Sequence, residues 1–330
     1  MLHMRRRKFI TMLSGAAAAW LSAARAEQSK IPVLAFLSSG SEASDVWRLV
    51  AFRRGLSETG YVEGRNVMSQ FRWADEHYDL LPALATELLR SQPAVIIAVG
   101  GPAAAVAAKA ASTTVPIVFA IAGDPVKLGL VASVNRPGGN ATGVTTLFTS
   151  VVGKQLETLH EMLPKAMLIG CLVNPKNPNA VTGTGEARGA AQTLGVRLQF
   201  ANAGTEPEID AAFVAFAQSR VDALVVITDP FFHSRTDRLA ALAAQHALPA
   251  IYPYREFAIA GGLISYGGNL TEPWHVAGGY AGRILRGEKA AELPVQQSTK
   301  VTLVVNLKTA MSLGLQLPPT LLARADEVIE

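Results

Sequence analysis

Short aliphatic and β-branched runs alternate along this chain with longer segments whose apolar residues recur every three or four positions. The runs at 31–37, 67–73, 94–99 and 115–121 read as strands, and the segments 44–58, 78–90 and 102–111 as helices. In 44–58 the positions Val46, Leu49, Val50 and Leu56 predict one buried face. The 94–99 run has no polar alternation, as expected of a central parallel strand covered on both sides. A Gly/Pro-rich passage at 136–143 interrupts the series, which then restarts. Helices are predicted over 151–163, 180–194, 206 to about 218, 234–246 and 271 to about 285. Strands are predicted at 167–173, 196–200, 223–227, 250–252 and 262–266. Thr205-Glu206-Pro207-Glu208 and Thr271-Glu272-Pro273 read as helix caps. Repeated strand–helix units imply right-handed crossovers and parallel sheets. Two such series, each of four or five strands, predict an α/β fold with two doubly wound parallel-sheet lobes.

The first 26 residues break this rhythm. Arg5-Arg6-Arg7-Lys8 is a basic head, residues 11–21 are an apolar stretch too short to span a bilayer, and Ala24-Arg25-Ala26 is an A-x-A cleavage site. Arg6-Arg7 followed by Lys8, Phe9 and Ile10 resembles the bacterial twin-arginine signal. Export to the periplasm with cleavage after Ala26 is therefore expected. The leader also distorts the apparent charge. It carries five basic residues and no acids, so setting it aside takes 30 Lys and Arg to 25, against 26 Asp and Glu. The remaining chain is near neutral, without a basic cluster that points to nucleic acid. It has no other apolar run long enough for a membrane span, so no stable membrane insertion is expected once the leader is gone. The lone cysteine, Cys171, lies in an apolar run and reads as a buried core thiol; an internal disulfide is excluded.

In open parallel sheets, ligands bind beyond the carboxyl ends of the strands. That rule selects five loops: Ser38-Ser39-Gly40-Ser41, Gly100-Gly101-Pro102, Ala122-Gly123-Asp124-Pro125, Asn174 to Asn179, and Thr228-Asp229-Pro230-Phe231-Phe232. They share small residues, hydroxyls, amides and two carboxylates. Gly100-Gly101 admits a ligand to the backbone, and amides at the next helix start suit an anionic group. Asp124 and Asp229 suit an ammonium. Trp47, Trp73, Phe231, Phe232, Tyr254, Tyr266 and Trp274 fall at or near proposed strand ends. Phe232 is favoured as a ligand contact, on the argument that two adjacent aromatics in one loop cannot both face one core. The six histidines have no ligand spacing, and phosphate-loop and nucleophile-elbow motifs are absent. The glycines of Gly183-Thr184-Gly185-Glu186-Ala187-Arg188-Gly189 fall inside a helix, nine residues past their strand, where a dinucleotide loop cannot work. No cofactor, no metal and no enzyme activity are expected.

Two long signatures carry a resemblance. G-D-P-V-K-L-G-L-V at 123–131 and P-G-G-N-A-T-G-V at 137–144, with G-G-L-I-S-Y-G at 261–267 and Val305-Asn306-Leu307, resemble the solute-binding protein family of ABC importers. That family includes tryptophan- and tyrosine-type binding proteins. The resemblance implies a type 1 periplasmic binding fold with three hinge crossovers, placed near 144–147, 266–269 and 299–302. The lobes are then 27–145 plus about 267–299, and 146–266 plus about 300–330. It implies a receptor that captures a small polar ligand, amino-acid-like or carboxylate, and delivers it to the permease subunits of an importer. The expected ligand-binding set is Ser38, Ser39, Gly101, Pro102, Ala103, Gly123, Asp124, Asn174, Asn179, Asp229, Phe232 and Tyr266. Ser39 and the Gly101–Ala103 amides would take an anionic group; Asn174, Asn179 and Asp229 would close over it. Gly101 stands where amino-acid-binding relatives commonly carry Thr, which removes a ligand-facing hydroxyl and argues against an aromatic amino acid. A monomer is expected. The same fold also serves ligand sensors that present to a signalling partner. An exported α/β enzyme would have to rely on Asp124 and Asp229.

Overall fold

The structure is a computed structural model and describes residues 31–146 and 151–330. The leader, its cleavage site and Leu147 of the first expected crossover lie outside the described residues. The first part of the chain forms β1 (Val33–Ser38), α1 (Glu42–Ser57), β2 (Met68–Trp73), α2 (Leu81–Leu89), β3 (Val95–Val99), α3 (Pro102–Ala111), β4 (Ile117–Ala122) and β5 (Ala141–Thr146). Then come α4 (Val152–Met162), β6 (Leu168–Val173), α5 (Ala180–Leu194), β7 (Arg197–Asn202), α6 (Glu206–Gln218), β8 (Ala223–Val226), α7 (Pro230–His233), α8 (Thr236–Gln245), β9 (Ala250–Tyr252), α9 (Arg255–Ile259) and β10 (Ile264–Gly268). The chain ends with α10 (Thr271–Leu285), β11 (Gln296–Ser298), β12 (Val301–Asn306), α11 (Leu307–Ser312), α12 (Pro319–Arg324) and β13 (Glu327–Ile329).

Two sheets result. The first runs β2-β1-β3-β4-β5-β11, with every neighbour parallel. The second runs β7-β6-β8-β9-β10-β12-β13 and is parallel except where β12 pairs antiparallel with β10. Both begin with the same order, so each has a switch point where successive crossovers leave in opposite directions: β1/β3 in one lobe, β6/β8 in the other. Period-two alternation sends Leu34 and Phe36 to one face of β1, against α1 and α10, and Ala35 and Leu37 to the other, against α2 and α3. In the second lobe Cys171 faces α4 and α5 while Leu172 faces α6. Burial pushes the Cys171 thiol up to about 12, so it is an inert core group.

The chain enters the second sheet after Thr146, returns to the first after Gly268 and leaves it again between Ser298 and Val301. Helix α10 therefore packs on α1, far from it in sequence. The two backbones approach at Gly55 and Gly278, where an added Cβ would overlap the His275 and Phe52 carbonyl oxygens. This packing turns α1 relative to the expected face. Asp45, Arg48, Leu49, Phe52 and Leu56 are buried, while Val46 and Val50 are exposed. The 271 cap also differs: the Asn269 side chain, not Thr271, accepts from the Thr271 and Glu272 amides. Strand β5 hides in the Gly/Pro-rich passage because Gly143 crosses the Phe119 backbone too closely for any side chain.

Candidate functional site

The two switch points face each other, and between them lies a cleft with about 690 Å³ of empty space, part of it open to solvent. Gly40, Gly100, Gly101 and Pro102 at the ends of β1 and β3 form its floor on the first lobe, with Ile121, Ala122 and Thr146 beside them. Asn177, Asn179, Thr228, Pro230, His233 and Tyr254 line it from the second lobe. The start of α10 adds Leu270, Pro273 and Trp274, and α1 adds Ser44 and Arg48.

Several bonds cross the cleft. The Tyr78 hydroxyl donates to Asp229 at 3.1 Å, and Asn179 Nδ2 donates to the Ala122 carbonyl at 2.7 Å. Arg235 and Glu76 pair at 3.7 Å. The ring of Pro230 sits so near Gly101 that a Cβ there would lie 2.7 Å from its Cγ. The lobes are thus closed on each other. Asp229 is the hub of this contact: besides Tyr78 it accepts from Asn174 Nδ2 at 3.0 Å, Asn177 Nδ2 at 2.7 Å and its own helix-cap amide, Phe231 N, at 2.9 Å. Four donors on one carboxylate are the arrangement of an ionised acceptor. Burial pulls its pKa up against them.

A second charged cluster stands at the wall. Arg48 Nη1 pairs with Asp45 at 3.0 Å, and the Ser38 hydroxyl donates to the same carboxylate at 2.5 Å. Burial raises Asp45, and Arg48 opposes that shift. The Arg48 guanidinium also lies 4.8 Å from the centre of the Trp47 ring. Across the cleft, burial and then the Arg48 charge push the His233 imidazole down to about 3, so it is neutral. His233 meets the Tyr254 ring edge-on, with centroids 4.8 Å apart.

The expected ligand-binding residues divide. Gly101, Pro102 and Asn179 line the cleft; Ser39 and Ala103 line a crevice beside it. Ser39 is buried, and its hydroxyl accepts from the Ala104 amide at 3.2 Å, so it pins the start of α3 rather than facing the cleft. Ser38, Asn174 and Asp229 form the layer behind, already engaged with Asp45 or with one another. Gly123 presses on the Asn179 side chain. Asp124 corrects the ammonium expectation: its carboxylate closes a turn on the Val126 and Lys127 amides. Phe232 is corrected too. It is fully buried and shares one core with Phe231, because the short helix α7 turns both rings inward. Tyr266 packs against the opposite core of the second lobe. Reasoning from strand ends did not single out Arg48, His233 or Thr228, all of which line the cleft. The signal for Arg48 was present: opposite charges at i, i+3 within the stripe Asp45, Leu49, Phe52, Leu56.

Among the described residues no three His, Cys, Asp or Glu side chains are grouped to hold a metal, and no helix is long and apolar enough to cross a membrane. The sequence profile of the family described as ABC transporter substrate binding protein matches residues 30–329. A tyrosine-binding protein of Clostridioides difficile (strain R20291) is 25% identical over 265 residues, 80% of this chain and 76% of that protein. Two solved structures are similar in fold. The ABC domain in complex with L-Trp from Streptococcus pneumoniae is 24% identical, covers 91% of this chain and 100% of its own, and superposes with a TM-score of 0.83. The ligand-free, open form of a substrate binding protein with adhesive properties from Clostridium difficile is 23% identical over 91% and 99%, with a TM-score of 0.63.

Proposed function

Because the chain belongs to the ABC transporter substrate-binding protein family, we propose that it is the periplasmic receptor of an ABC importer. It captures a small ligand, amino-acid-like or carboxylate, between its lobes and delivers it to a membrane permease without altering it chemically. The observation that carries this reading is the facing pair of sheet switch points, with one cleft between them and hydrogen bonds from each lobe onto the other. The two fold comparisons support closure: at nearly equal identity, the similarity is 0.83 to the L-Trp complex and 0.63 to an open form, the drop a change of lobe angle produces.

In the cycle we propose, the lobes part at the three chain crossings, and the Tyr78–Asp229 and Asn179–Ala122 bonds exchange for water. Ligand first meets the floor at Gly101 and Arg48. Closure then brings Asn177, Thr228 and His233 over it, and exclusion of water strengthens each polar contact. The closed form docks on the permease. The basic head and A-x-A site of the first 26 residues support delivery to the periplasm and cleavage after Ala26.

Ligand binding to the native state alone raises stability by about 2.7 kcal/mol at a hundredfold excess over Kd. A metabolite screen by differential scanning fluorimetry reads this as a higher melting temperature, and small-angle scattering reads a smaller radius of gyration. No shift across a broad metabolite panel overturns the receptor reading. Uptake of the identified ligand by cells, lost on deletion of the gene for this chain, tests the import step.

A further inference from the structure

We propose that the ligand is a carboxylate with an apolar, ring-sized body and no ammonium group, anchored by the Arg48 guanidinium. This rests on the receptor reading above and narrows it. Among the described residues the cleft wall carries one full positive charge, Arg48, and no Asp or Glu. Asp45 and Asp229 stand behind the wall and are spent, Asp45 on Ser38 and Arg48 and Asp229 on four donors, while Glu76, where the lobes meet, pairs with Arg235. An ammonium brought into the closed cleft would face a guanidinium with no counter-charge of its own. A buried charge without a partner is heavily penalised.

The polar groups left over fit an anion. The Arg48 side chain is 8% exposed, and Asp45 takes only Nη1; its Nε is buried without a hydrogen-bond partner. The planar guanidinium fork suits the two oxygens of a carboxylate. Thr228 Oγ1 and His233 Nδ1, on the facing lobe, are also buried without partners. A hydroxyl donates, and a neutral imidazole donates from Nδ1 in the tautomer that carries its proton there. Helices α1, α3 and α10 all begin at the cleft, through Gly40 and Ser44, Gly101 and Pro102, and Leu270 and Pro273. Their positive ends add to Arg48. Beside the polar Ser44, Thr146, Asn177 and Asn179, the wall offers apolar surface from Trp274, the Tyr254 ring, Ile121, Leu270 and three prolines. That surface covers a ring or short alkyl body.

The test is titration calorimetry on the purified protein with matched probes: indole-3-propionate, tryptophan and tryptamine; 3-phenylpropionate, phenylalanine and phenethylamine; and hexanoate. At least one carboxylate is expected to bind, its α-amino counterpart to bind at least about tenfold more weakly, and the amine not at all. An amino acid that equals or exceeds its deamino analogue overturns the proposal. So does silence of every carboxylate while a metabolite of another class binds and closes the lobes, an outcome that leaves the receptor reading standing. Silence of all metabolites fails both. The variant Asp45→Asn/Arg48→Met, which leaves no carboxylate unpaired, is expected to lose carboxylate affinity by about a hundredfold, while Asp45→Asn alone keeps it. Should the double variant fail to fold, Thr228→Val, about tenfold weaker, takes its place. Unchanged affinity in the folded variant overturns the assignment.

Discussion

Gly101→Ala separates the cost of a strained backbone from the cost of a blocked cleft. Gly101 has φ 135° and ψ 168°, a region reserved for glycine, so alanine there costs about 1–3 kcal/mol whatever the lobes do. The added methyl would also lie 2.7 Å from Pro230 Cγ, closer than carbon atoms approach. That overlap exists only when the lobes are shut, and forcing it costs about 1–3 kcal/mol more. The first cost lowers the melting temperature of the unliganded protein by several degrees, at roughly 2–4 °C per kcal/mol. The second weakens ligand binding by roughly 5- to 150-fold, because closure is part of the binding equilibrium. Scanning fluorimetry measures one and titration calorimetry the other. Pro230→Ala in the Gly101→Ala background is expected to restore most of the affinity and little of the melting temperature, as coupled contact residues do. A variant that melts earlier yet binds like the parent refutes the closed contact between Gly101 and Pro230.

Three further outcomes are expected. Tyr78→Phe keeps the ring and removes one of the four donors on Asp229, so ligand affinity falls about tenfold while the unliganded melting temperature stays nearly constant; a large loss of melting temperature with unchanged affinity contradicts its role across the cleft. His233 is held neutral down to about 3 when folded but takes a proton near 6.5 when unfolded. Between those values the unfolded chain binds the extra proton, so stability falls as pH drops, by up to about 1.4 kcal/mol per unit, and thermal melts of His233→Gln across pH 4–7 are expected to lack that component. Phe232→Ala empties a fully buried site and is expected to destabilise by about 3–5 kcal/mol in urea unfolding; weaker binding with intact stability would return Phe232 to the cleft.

Where periodicity is local, the elements follow from the spacing of apolar residues. The unbroken apolar run at β3 marks a strand covered on both faces, and helices α3, α5 and α10 span the residues their patterns mark. The P-G-G-N-A-T-G-V passage conceals a strand, since small residues and a glycine crossing carry no β signal. Likewise the strand-end rule selected loops that meet at the cleft, but not every side chain in them faces it. Gly101, Pro102 and Asn179 reach the cleft, while Ser38, Asn174 and Asp229 hold other residues in place. Loop composition cannot separate these roles, because Asn and Asp serve equally as ligand contacts and as caps.

Residue order alone determined the alternation of strands and helices, the doubling into two α/β lobes and the inert place of Cys171. These follow from side-chain spacing between near neighbours. Only the tertiary structure decided which charges meet. Arg48 and His233 lie on different lobes, and they converge because α10 returns from the second lobe to pack on α1, turning Asp45 and Arg48 inward and Val50 out. The helix rotation that brings Arg48 to the cleft depends on glycine contacts between α1 and α10, segments far apart in the chain.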